Sequence, residues 1–231
     1  TEGGEAAVTE TFSAETWAFL DRVAAANSKV TFDAIRSIYD DHVAAPSVGF
    51  VERMATLLPV QVHSGLKGEA RVGRSMFRIN RDTRFSKDKT PYKTHLDFLF
   101  WIGDGPPREQ PACIVRLTTT EVLLGAGQIG LRGPSLEQYR QRLHDPLEGA
   151  EIQTIVSTAK ARGSALSEPD RGKPPRPYGA DHPSAELLRR DGFHLTTRHP
   201  HPTSVTTARF PAWCATRLAP YGDLLDWLVR S

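Results

Sequence analysis

The chain has only two cysteines, Cys113 and Cys214, and they form no Cys-x-x-Cys pair. A disulfide framework is therefore excluded. Both thiols read as small buried apolar side chains in a reducing compartment, which makes the cytoplasm the expected location. Long hydrophobic runs are missing too: none approaches the ~20 residues that cross a bilayer. The longest, Leu96–Ile102, is interrupted by Asp97 and has strand length. No membrane association is expected. An excess of one charge is also lacking. The 29 Lys and Arg against 27 Asp and Glu leave a net charge of +2, too little for a general nucleic-acid binder. Nor is there a Walker-type GKS/T, a G-x-S-x-G or an H-E-x-x-H. The strongest signatures of nucleotide, hydrolase and zinc-protease chemistry are thus missing. His199 and His201 flank Pro200 without cysteine or carboxylate neighbours at a zinc-like interval. No metal or other cofactor is expected.

What is present is a local concentration of charge. The stretch Phe77–His95 reads FRINRDTRFSKDKTPYKTH and carries Arg78, Arg81, Arg84, Lys87, Lys89 and Lys93 against Asp82 and Asp88 only. Hydroxyls of Thr83, Ser86, Thr90, Tyr92 and Thr94 fill the gaps. Guanidinium forks, ammonium groups and hydroxyls together supply the donors that coordinate an oxyanion. Pro91 and the polar density make this segment a loop.

Around it, the periodicity describes an α+β fold with a mainly antiparallel sheet. Residues 1–11 read as a flexible leader and 12–231 as a single domain. Ser13 is suited to cap a helix to about Ala26, Thr31 to cap a second, and Pro46 to close that one before a third over 47–58. Strand interrupted by Gly73 is expected near 69–79, and further strands at Leu96–Ile102 and in a hairpin of 112–118 and 121–128 joined at Thr119–Thr120. Gly125 and Gly127 in that hairpin imply a close approach by another segment, with the basic loop as one candidate. The Pro-rich stretch 163–178 is irregular. A late strand at 193–197 precedes helical pieces split at Pro220. N-terminal and C-terminal helices then pack on the sheet.

The block Arg81–His95, RDTRFSKDKTPYKTH, resembles the signature of a family known as domain of unknown function 2461. Further similar blocks are Asn27–Phe32, LLGAG at Leu123–Gly127, and the Pro-rich turn Lys173–Pro183 that ends in DHP. The resemblance covers nearly the whole chain. At the first of these blocks the family shows paired asparagines and a Trp-Phe step, where this chain has Asn27-Ser28 and Thr31-Phe32. The resemblance implies one domain of about this length with a functional region at the basic block. It implies no activity, substrate or catalytic residue.

From the residues themselves, the leading expectation is a small anionic ligand, phosphate- or carboxylate-bearing. It would be held by Arg78, Arg81, Arg84, Ser86, Lys87, Lys89, Tyr92 and Lys93. An enzyme would use His95, paired with Asp97 two residues on, or Asp82 to handle a proton. The alternative is a non-catalytic domain whose loop docks on an acidic protein surface. Nucleic acid is the weaker form of that alternative, with Phe85 and Tyr92 interleaved among the cations as stacking groups. A third reading is structural, in which every loop cation has a carboxylate within reach.

Overall fold

The computed structural model describes residues 11–230. Apart from Thr11, the expected leader lies outside them. The first helix, α1 (Ala14–Ala25), starts where Ser13 N–H donates to Thr16 Oγ1 at 3.0 Å. Helix α2 (Lys29–Ala34) is capped by Ser28 rather than Thr31, the Ser28 Oγ accepting from Thr31 N–H at 3.2 Å. The expected break at Pro46 does not occur. Helix α3 (Arg36–Tyr39) runs through a π turn (Asp40–Ala44) into α4 (Ala45–Gln61), and Pro46 sits in the first turn of α4. A proline has no N–H for the carbonyl four residues back. That carbonyl belongs to His42, and Thr16 Oγ1 of α1 donates to it at 2.5 Å. A contact between helices thus compensates the proline, which no local rule could show.

The sheet has six strands in the order β1-β2-β3-β4-β6-β5. Its body is β2 (Leu96–Ile102), β3 (Ala112–Leu117), β4 (Glu121–Ile129) and β6 (Gly192–Pro200). Two-residue pieces, β1 (Leu66–Lys67) and β5 (Ala165–Leu166), form the edges, and every neighbouring pair is antiparallel. The expected hairpin is β3–β4. The expected strand near 69–79 is not formed. Gly73, at φ 86°, turns the chain back so that its N–H donates to Met76 O at 2.8 Å. Only isolated bridges, such as Met76 to Phe98, touch the sheet there.

Alternation along the strands sorts the side chains into two faces. One face presents Phe98, Phe100, Val115, Leu124 and Phe193 to the helices in one continuous core. The N-terminal helices contribute Phe19, Phe32, Phe50 and Met54 to that core. So do α5 (Gly133–His144), α6 (Pro146–Ala161), α7 (Ala185–Leu188), α8 (Phe210–Leu218) and α9 (Gly222–Val229). Pro220 lies in the short 3-10 turn between the last two. Burial pushes both Cys113 and Cys214 thiols well up, as expected of inert core side chains. The opposite face carries a separate, smaller apolar cluster of Leu99, Trp101 and Ala112 with Phe77 and Ile114. Chain and fold make a single α+β domain.

The segment that needs the strand glycines is β6, not the basic loop. A Cβ on Gly125 would lie 2.2 Å from Leu195 O, and one on Gly127 would lie 2.2 Å from Phe193 O. Replacing Gly125 by alanine therefore forces β4 and β6 apart, with an expected loss of about 1–3 kcal/mol. Gly172→Ala, at a position with open space around it, should stay within about 0.5 kcal/mol of wild type. Urea denaturation of the two variants checks the contrast.

Candidate functional site

The basic loop is held at its neck. Arg81 N–H donates to Pro91 O and Lys93 N–H to Ile79 O, both at 2.8 Å, closing a short antiparallel stem. The Asn27 side chain, in the turn between α1 and α2, grips that stem from outside. Its Nδ2 donates to Tyr92 O at 2.9 Å, and its Oδ1 accepts from Tyr92 N–H at 3.0 Å. The Tyr92 ring is buried and stacks on Phe32, with centroids 4.4 Å apart and planes 11° apart. Tyr92, expected as a ligand contact, is the loop's anchor to the helices.

Beyond the neck, most cations are tied up locally. Arg81 donates to the Asp88 carboxylate and to Thr90 Oγ1. Asp88 also accepts from the Thr90 N–H and hydroxyl, and these bonds with that from Arg81 lower its pKa to about 2. Arg84 makes a fork with Asp82, through Nε at 2.9 Å and Nη2 at 2.7 Å. Asp82 is held at about 2 by the Arg84 side chain and N–H, so it is an ionised partner of arginine near neutral pH. Lys89 Nζ donates to Thr83 O at 2.8 Å. Arg78 and Lys87 are exposed and belong to no ion pair among the described residues. Ser86 is half-buried in the tip, and Phe85 projects from it 95% exposed, its ring 5.9 Å from the Arg84 guanidinium.

At the loop's exit the groups converge on Asp97 in β2. Arg116 Nε of β3 donates to its Oδ1 at 2.6 Å, His95 Nε2 lies 3.2 Å from its Oδ2, and Lys93 Nζ donates to Oδ2 at 3.4 Å. Burial raises the Asp97 pKa, but the hydrogen bonds and charges of His95 and Arg116 outweigh it and hold the carboxylate far below its usual range. His95 thus has the carboxylate partner that proton transfer requires. Its surroundings are narrow, a hollow of about 20 Å³ shared with Tyr39, Arg78 and Phe98, which is room for one water. No hydrogen bond or ion pair joins Asp82 to His95; they stand at opposite ends of the loop with separate partners.

The same cluster borders a much larger space. A cavity of about 670 Å³ lies on the open face of the sheet, with Phe77 and Asp97 at the loop side. Arg108, Arg116 and Arg198 line it, against Asp97 and Glu168. Phe77 sits between two cations, its ring centroid 5.0 Å from Lys93 Nζ and 4.4 Å from the Arg108 guanidinium. Arg198 is paired with Glu121 at 3.0 Å and Arg116 with Asp97. Arg108 has no carboxylate among the described residues. Phe77, Arg108, Arg116 and Arg198 were not singled out as site residues from the sequence. One signal was available: Arg116 is the lone charge in an apolar strand and stands opposite Asp97 in the register. Among the described residues, no three His, Cys, Asp or Glu side chains gather as a metal-ligand set. No helix there is long and apolar enough to cross a membrane.

The profile of one family, described as a conserved hypothetical protein (DUF2461), matches residues 15–227. The chain belongs to that family. No curated protein matches it.

Two measurements probe the neck and the exit. Asn27→Ala leaves the N–H and C=O of buried Tyr92 without partners, an expected loss of about 1–3 kcal/mol, with faster hydrogen exchange at the Tyr92 amide. For Asp97 the folded pKa is depressed, so its contribution is complete above the unfolded value of about 4 and is lost as pH falls toward the folded one. The stability gap between wild type and Asp97→Asn should hold from pH 7 to 5 and shrink below pH 4. A gap that is unchanged down to pH 2 would contradict this reading.

Proposed function

We propose that this DUF2461 member is a cytoplasmic protein that binds a small anionic ligand where the basic loop meets the open face of the sheet. The single observation that carries the reading is the cavity of about 670 Å³ whose loop-side wall is Phe77 flanked by Lys93 and Arg108, with Arg116 beside them. That volume falls in the range of small-molecule sites. Asp97, a carboxylate of the cavity wall, already receives Arg116, His95 and Lys93, so the exposed Arg108 is left to meet an outside anion. Arg78 and Lys87 extend the field along the loop, and low-dielectric walls focus it into the cavity. The buried free thiols fit the reducing compartment.

A second reading has its own support at the tip. Phe85 is 95% exposed amid Arg84, Lys87 and Lys89, the pairing of an aromatic platform with cations that docks nucleic acid or an acidic protein. The cavity lies away from this tip, at the loop's base, which favours the small ligand there.

A thermal-shift panel of inorganic phosphate, phosphosugars, carboxylates and short oligonucleotides separates the two. A ligand at a hundredfold its Kd adds about 2.7 kcal/mol of stability by mass action. The proposal expects a shift with a small anion that Arg108→Ala removes and Phe85→Ala leaves intact. A shift with oligonucleotides alone, removed by Phe85→Ala, would transfer the function to the tip. A small-anion shift indifferent to Arg108→Ala would refute the cavity.

A further inference from the structure

The strand register shows how chemistry is distributed over the floor of this cavity. Directly opposed residues share a face. One row across β2, β3, β4 and β6 is therefore Asp97, Arg116, Leu123 and Arg198. The next is Leu99, Ile114, Gly125 and Thr196, and the one after is Trp101, Ala112, Gly127 and His194. Charge is confined to the first row. The second row has no ionisable group, and the third has only His194 at its far end. Burial, with the charge of nearby Arg116, lowers the His194 pKa, which favours the neutral ring, and the Glu168 carboxylate stands on the cavity wall beyond it.

The middle of the floor is also hollow. Gly125, Gly127 and Ala112 raise no large side chain above β3 and β4, because β6 approaches too closely to allow one at either glycine. Ile114 and Leu123 remain only half-buried on this face. The α-helices pack on the opposite face, and the 3-10 turn Pro107–Glu109, which carries Arg108, borders this one. From the first row to the third is about 13 Å along a strand. An apolar patch of Leu99, Ala112 and Ile114, with Leu123 at its side, thus adjoins a cationic mouth, and Gln110, Gln128 and His194 close the far end.

We propose, resting on the anion reading above, that the ligand is an amphiphilic anion. Its carboxylate or phosphate head meets Arg108 and Arg116 beside Phe77, and its acyl or aryl body lies along Leu99, Ile114 and Leu123. A purely polar anion would leave the apolar floor wet. An uncharged apolar molecule would leave Arg108 without a counter-charge. Charge complementarity at one end and apolar complementarity at the other select a ligand that has both.

The test is calorimetric titration of the full chain with butanoate, hexanoate and octanoate below micellar concentration, with octyl phosphate and uncharged octanamide alongside. Burial of each methylene should tighten binding about fourfold. Octanamide should bind at least tenfold more weakly than octanoate. Ile114→Gln and Leu123→Gln, both on the half-buried face, should flatten the chain-length dependence, weakening octanoate severalfold more than butanoate. Arg108→Ala should weaken every acid by a similar factor. If anions bind through Arg108 with no dependence on chain length, the amphiphile falls and the anion site stands. If the dependence persists in octanamide and ignores Arg108→Ala, the anion reading falls instead. Absence of binding by every acid and by octyl phosphate overturns both. So does a dimer through this face, detected by sedimentation, that octanoate fails to dissociate.

Discussion

A half-buried carboxylate sets the terms for the working end of this molecule. Asp97 projects from β2 onto the open face of the sheet, where an unpaired charge would be expensive. It is satisfied from two directions, by Arg116 across the strand pair and by Lys93 and His95 at the end of the basic loop. The pairing welds the loop's exit to the sheet. It also gathers cations at one end of a face that is otherwise apolar, and that polarity is what gives the cavity a mouth and a back. Removing any one donor leaves the others to carry the carboxylate, so the cluster acts as a unit.

The loop divides at its neck into parts with different physics. Its tip is a knot in which Arg81, Arg84 and Lys89 bond to Asp88, Asp82 and the Thr83 carbonyl. These contacts are exposed, and exposed pairs contribute little stability; they define shape. The purely structural reading is incomplete all the same, because among the described residues Arg78 and Lys87 have no carboxylate and Lys89 has only a carbonyl. The neck is rigid for another reason. Asn27 satisfies both backbone groups of Tyr92 while Phe32 stacks on its ring. One turn between helices therefore positions a loop more than fifty residues further along the chain.

Where sequence reasoning succeeded, the determining forces were local. Alternation of Leu96, Phe98 and Phe100 marked β2, and apolar runs around Thr119–Thr120 marked the β3–β4 hairpin. His95 and Asp97 were paired on spacing alone and do meet. It failed where a distant partner changed the local rule. Pro46 should end a helix but does not, because Thr16 serves the orphaned His42 carbonyl. Gly125 and Gly127 were rightly taken as marks of close approach, but β6 is the neighbour. The six cations of the loop looked like one cradle, whereas the chain folds most of them onto their own acceptors.

By itself the sequence determined the class of fold, the family, the position of the basic loop, and the absence of a membrane-spanning helix among the described residues. The family follows from the resemblance carried by Arg81–His95, and the rest from composition or from periods of a few residues, which act before any tertiary contact forms. Only the tertiary structure decided which cations remain unspent and what lies beside them. Arg108 and Arg116 come from elements outside the basic loop, and Leu99, Ile114 and Leu123 from three separate strands. Their assembly on one face depends on strand register, which no single strand encodes alone.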